Sequence, residues 1–98
     1  MRRYGIVVVR GRSMEPTLQD GDRFVVEYDR LPRVGDLVVV RLPDRPLAVK
    51  RATRREPEGW WVERDNPAEG VDSWAVGAVA DQDVVAVLRW RIWSVRSV

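Results

Sequence analysis

Two residues of this chain could do covalent chemistry together, Ser13 and Lys50. Ser13 lies in Gly11-Arg12-Ser13-Met14-Glu15-Pro16-Thr17-Leu18, which Asp20-Gly21-Asp22 follows. A serine that leaves a strand into a turn constrained by glycine and proline can present its hydroxyl outward. Backbone N–H groups beside it are then free to line an oxyanion pocket. Taken alone, Ser13 reads more readily as the cap of a short helical turn, the commoner job for such a residue. Lys50 ends the run Leu47-Ala48-Val49-Lys50. If its side chain faces the core, desolvation disfavours the ammonium and lowers its pKa, which suits it to take a serine's proton. On the wet face of a strand the same lysine would snorkel to solvent.

Composition narrows the choice of base. The chain has no histidine and no cysteine. That excludes Ser-His-Asp triads, Cys-His dyads, disulfides and thiolate zinc sites. Of 17 basic residues only Lys50 is a lysine. Guanidinium keeps its proton at any pH a cell reaches, so Lys50 and the terminal amine are the only nitrogen bases on offer. Asp20, Asp22, Asp36, Asp65 and Asp72 could be imagined as oxygen ligands, but they are scattered over turn-like segments. No metal or other cofactor is expected.

The elements that must position the pair read as strand after strand. With 98 residues, 45% of them hydrophobic and 33% charged, a single globular domain over 1–98 is expected. A β-branched run at 4–10 predicts a buried first strand. Further strands are expected over 24–28, 37–42, 47–54, 60–63, 75–80 and 84–98. From Leu88 the mixed period leaves the facing of the last strand open. One short helical turn over 14–19, with Ser13 as its cap and Pro16 in its first turn, is the only helix signal. The expected fold is mainly β, a compact antiparallel domain with Ser13 between the first two strands and Lys50 on the fourth.

Taken in order, these segments resemble the type I signal peptidases, Ser-Lys proteases of largely β fold. The matching residues begin with Ser13, Met14, Pro16, Thr17 and Leu18, then Gly21-Asp22 and Gly35-Asp36. Val49-Lys50-Arg51 follows, then Asp65-Asn66, Asp72-Ser73, Gly77 and Val79. The likeness implies that Ser13 attacks the scissile carbonyl, Lys50 is its base and the Ser13 N–H is an oxyanion donor. Met14 would shape the substrate cleft, and Gly11 stands where some relatives add a hydroxyl to the oxyanion hole. Asp72, with Ser73 after it, would support the lysine. Two positions depart from the pattern: Gly70 replaces a serine that often bonds the lysine, and Trp74 replaces an arginine.

Size refines the resemblance. Twelve residues precede Ser13, too few for a membrane anchor, and no segment has the apolar run of a span or a signal peptide. Between Lys50 and Asp65 there is room for one hairpin. Such a minimal core is similar to the nickel-type superoxide dismutase maturation proteases. The implied partner is a protein substrate, a nickel superoxide dismutase precursor that loses an N-terminal propeptide, and the implied location is cytoplasmic. Self-cleaving repressor peptidases share the dyad but normally place a DNA-binding domain and a cleavage site ahead of the serine, so they rank lower.

Two rivals belong to other classes. A pseudo-enzyme could keep the fold and bind a peptide strand without cutting it. Arg89-Trp90-Arg91-Ile92-Trp93 interleaves cations and aromatics as single-strand nucleic-acid surfaces do. In a strand, however, that pattern also yields one face of apolar anchors and one of solvated arginines. Five tryptophans in so small a domain are expected to fill a core or rim a cleft. The net charge of +2 does not call for a nucleic-acid partner.

Overall fold

A computed structural model describes residues 3–94 of the chain. Among the described residues six strands form one antiparallel sheet: β1 Tyr4–Val8, β2 Arg23–Tyr28, β3 Leu37–Val40, β4 Ala48–Glu56, β5 Gly59–Glu63 and β6 Val84–Trp93. Their spatial order is β1-β2-β6-β3-β4-β5. The last strand therefore inserts between β2 and β3 and joins the β1-β2 pair to the β3-β4-β5 run in one sheet.

β3, at the centre of the sheet, explains the core. Val38 and Val40 pack with Ala52, Val62 and Val87 in one cluster, while Val39 packs with Val26 and Ala86 in another. Alternation thus buries both sides of this short, uninterrupted valine run. A third cluster forms from Val9, Met14, Leu18 and Phe24 and anchors the loop between β1 and β2. β4 and β5 make a hairpin through Pro57-Glu58, with Glu56 opposite Gly59. Gly59 must be bare, since a Cβ there would lie 2.0 Å from the Val79 carbonyl oxygen.

Several expectations need correction. β1 is an edge strand paired only with β2, and Tyr4 and Ile6 are exposed, so it is not a buried strand. The expected strand over 75–80 is instead a one-turn helix, α1 Ser73–Val76, followed by a two-way bridge between Val79 and Trp60. Asp72 caps α1 by accepting a hydrogen bond from the Trp74 N–H, a side-chain cap that β-branched counting overlooks. The 14–19 segment stays in turns, closed by one bond from the Leu18 N–H to the Met14 carbonyl. The expected last strand ends at Trp93, and residues 95–98 of that reading lie outside the described residues.

The tryptophans also behave differently from the expectation. Trp60 joins the core, whereas Trp74, Trp90 and Trp93 are exposed. On β6 the arginines, not the aromatics, are tied down. Arg89 reaches the buried Glu27, and Arg91 lies over the Phe24 ring, near the buried Asp22, with its Nη2 on the Thr17 carbonyl.

Candidate active site

The turn that carries Ser13 is held by residues more than forty positions away in sequence. Asn66 donates its backbone N–H to the Ser13 carbonyl at 2.8 Å and its side-chain amide to the Arg12 carbonyl at 2.8 Å. Thr17 donates its hydroxyl to Asp65 Oδ2 at 2.6 Å, and the Asp65 N–H points at Met14 Sδ. Asp65 is itself gripped by Arg51, with Nε to Oδ1 at 3.0 Å and Nη2 to Oδ2 at 2.8 Å. This two-pronged contact fixes both direction and register. It holds the Asp65 carboxyl below the usual carboxylate range, with the Thr17 hydrogen bond adding to the effect. The neighbour of Lys50 on β4 thereby ties down the loop that carries Ser13.

Lys50 sits on β4 opposite Val38. Strand alternation puts it on the same side as Ala52, facing inward, and it is 3% exposed. Its Nζ donates a hydrogen bond to Ser13 Oγ across 3.2 Å. Burial is the main cause that pushes its pKa below the usual lysine value. Asp72 opposes the shift, while the positive charges of Arg64 and Arg45 reinforce it. The side chain is therefore packed inward and joined to the serine hydroxyl.

The loop over 67–72 covers the pair. Gly70 has φ +95°, and a Cβ on it would lie 2.6 Å from Ser13 Cβ and 3.2 Å from Lys50 Nζ. The absent family serine is thus more than a missing hydroxyl, because the side chains of Ser13 and Lys50 crowd the place where that side chain would begin. Arg64 clamps this loop: Nη1 donates to the Gly70 carbonyl and Nη2 to the Pro67 carbonyl, each at 3.2 Å. Nη1 also lies 3.5 Å from Asp72 Oδ2. The Ser73 hydroxyl accepts the Val62 N–H at 2.8 Å, which pins α1 to β5. Asp72 therefore acts on the lysine through its charge, while Ser73 bonds β5 and not the lysine.

A cleft of about 190 Å³ opens beside the pair. Gly11, Ser13, Met14, Lys50 and Gly70 all line it. The Gly11 N–H is committed to Asp20 Oδ1 at 2.7 Å. Neither the Ser13 N–H nor the Met14 N–H takes part in the backbone bonds that hold the turn. Of the other aspartates considered as ligands, Asp22 accepts the Gln19 N–H and Asp36 the Arg33 N–H. Both act as turn formers.

The residue pattern pointed to Ser13, Met14, Lys50, Gly11, Asp72 and Ser73. It gave no role to Asn66, Arg51, Asp65 or Arg64. The first three lie in matched boxes, yet their work is visible only once the two loops meet. Arg64 carried no signal among so many arginines.

The fold is an antiparallel β domain in which a buried lysine contacts a turn-borne serine. Residues 2–88 match the family described as Peptidase S24-like, and the chain belongs to that family. It is also 32% identical over 80 residues to a protein of Coxiella burnetii (strain RSA 493 / Nine Mile phase I) described as an uncharacterized HTH-type transcriptional regulator. The match covers 82% of this chain and 36% of that protein, so the chain spans little more than a third of that relative. Among the described residues no helix is long and apolar enough to cross a membrane.

Proposed function

We propose that this chain is a serine endopeptidase in which Ser13 is the nucleophile and Lys50 the general base. The observation that carries the reading is the 3.2 Å contact between Lys50 Nζ and Ser13 Oγ, with the amine buried. With Lys50 neutral, the Ser13 proton passes to Nζ as Oγ attacks the scissile carbonyl. The Ser13 N–H faces the oxyanion. The ammonium then protonates the departing amine, which leaves an acyl-serine. Water, deprotonated by the same lysine, hydrolyses that ester and restores Ser13.

The substrate reading is the removal of an N-terminal propeptide from a nickel superoxide dismutase precursor. The single β4–β5 hairpin between Lys50 and Asp65 and the run of matched boxes support it. Intact-mass spectrometry of that precursor after incubation tests it: one loss matching the propeptide, absent with Ser13→Ala, is expected. An unchanged precursor would remove this substrate.

A second reading has support of its own. The Coxiella relative is described as a transcriptional regulator, and the matched segment is 36% of its length. In this reading the dyad cuts the polypeptide that carries it. A mass loss from the protein incubated alone, abolished by Ser13→Ala, would favour it over cleavage in trans.

A further inference from the structure

Almost every arginine that the structure describes is neutralised. Ten reach a carboxylate within ion-pair distance. Another, Arg23, lies over the Trp93 ring. Among the described residues, the side chains of Arg10, Arg33 and Arg45 have neither kind of partner. Two of these three, Arg10 and Arg45, line the cleft that holds Ser13 and Lys50. They come from different walls: Arg10 follows β1, and Arg45 lies in the loop that leads into β4. No acidic residue lines the cleft, and the wall between them is apolar, built from residues such as Val9, Leu42, Leu47 and Val49.

An unpaired surface arginine is ordinary by itself. Two of them flanking an apolar cleft next to the proposed base, when Arg33 alone of the other described arginines also lacks such a partner, form a charge pattern that needs a complement. Resting on the Ser-Lys reading, we propose that the cleft selects an extended substrate segment with an apolar residue beside the dyad and an aspartate or glutamate within three positions of the cut. Arg10 and Arg45 would pair with that carboxylate, and the same two charges would reject lysine or arginine there. A cleft of about 190 Å³ admits one or two side chains, which fits a strand-like peptide.

The test exposes the protein to a randomised decapeptide mixture and reads the new termini by mass spectrometry. Enrichment of Asp and Glu around the cut is expected. A glutamate peptide should be cut roughly 2- to 5-fold faster than its glutamine twin, the size of one partly exposed charge pair. Arg10→Gln with Arg45→Gln should erase that ratio, and Arg45→Glu should turn it toward basic residues. Because each ratio compares two peptides on one protein at one pH, a change in the lysine's own pKa cancels. Cutting without acidic enrichment, or enrichment that survives in the double variant, would overturn the proposal and leave the peptidase reading standing. If nothing is cut, fluorescence anisotropy of the same twin peptides on Ser13→Ala decides. Tighter binding of the glutamate form upholds the selection, and equal binding ends it.

Discussion

Gly70 lies against Ser13 so closely that a methyl group added to it would come within 2.6 Å of the Ser13 Cβ. Its φ of +95° is also one that side-chain-bearing residues rarely adopt. Gly70→Ala and Gly70→Ser should therefore both displace the nucleophile. The strain is about 1–3 kcal/mol, and the serine hydroxyl should not rescue what the Cβ disrupts. Peptide cleavage should fall at least tenfold in both variants while circular dichroism keeps its β signature. Gly70→Ser with activity above wild type would show that the loop has room for the hydroxyl after all.

Removing either member of the pair should abolish cleavage. Ser13→Ala and Lys50→Ala should each lose on the order of 10⁴-fold, since two groups acting as a unit fail together. Lys50→Arg keeps the charge and loses the base, so it should be as inactive as Lys50→Ala. Turnover by Lys50→Arg within tenfold of wild type would mean that another group takes the proton. Urea midpoints measured beside the rates separate lost chemistry from lost folding.

The chemistry-bearing residues could be read from sequence because they are few: one lysine, no histidine, and a serine between glycine and proline. The β class was readable because β-branched runs alternate with turn residues, as in Val38, Val39 and Val40. What stayed hidden depends on non-local geometry. Tyr4 and Ile6 are exposed on a strand that, among the described residues, pairs only with β2, and strand order cannot be counted from one strand's composition. Residues 75–80 look like a strand until Asp72 caps a helical turn ahead of them. Asn66 looks like a turn residue until its amide is seen on the Arg12 carbonyl.

Asp65 should matter to activity more than to stability. Its contacts with Arg51 and Thr17 hold the Ser13 loop, but the pair is partly exposed, so Asp65→Asn should cost about 1 kcal/mol. For a chain of this size that lowers Tm by roughly 4–8 °C. Because the carboxyl's pKa is lowered in the folded state, its contribution is present above its ordinary value and is lost as pH falls through the lowered one. Scanning calorimetry from pH 6 downward should show Asp65→Asn and wild type converging. Parallel curves would assign the acid loss to other carboxylates.

The lysine can be watched without any substrate. As the chain's only lysine, Lys50 labelled with carbon-13 at Cε gives a single side-chain resonance to titrate. Its midpoint should lie below the usual lysine value, chiefly through burial, with Arg64 and Arg45 lowering it and Asp72 raising it. Cleavage should rise with pH through the same midpoint. Protein stability should also rise with pH, between that midpoint and the ordinary lysine value, because the unfolded chain binds the extra proton there. Arg64→Gln removes one opposing cation and leaves Asp72 closer to unopposed, so it should move the midpoint upward and the pH–rate curve with it. Arg64→Lys would add a second lysine resonance, yet it should restore the Lys50 midpoint by returning the charge. Arg64→Gln with an unmoved Lys50 midpoint but slower cleavage would reduce Arg64 to a loop clamp. An unmoved midpoint with unchanged cleavage would leave the clamp itself dispensable.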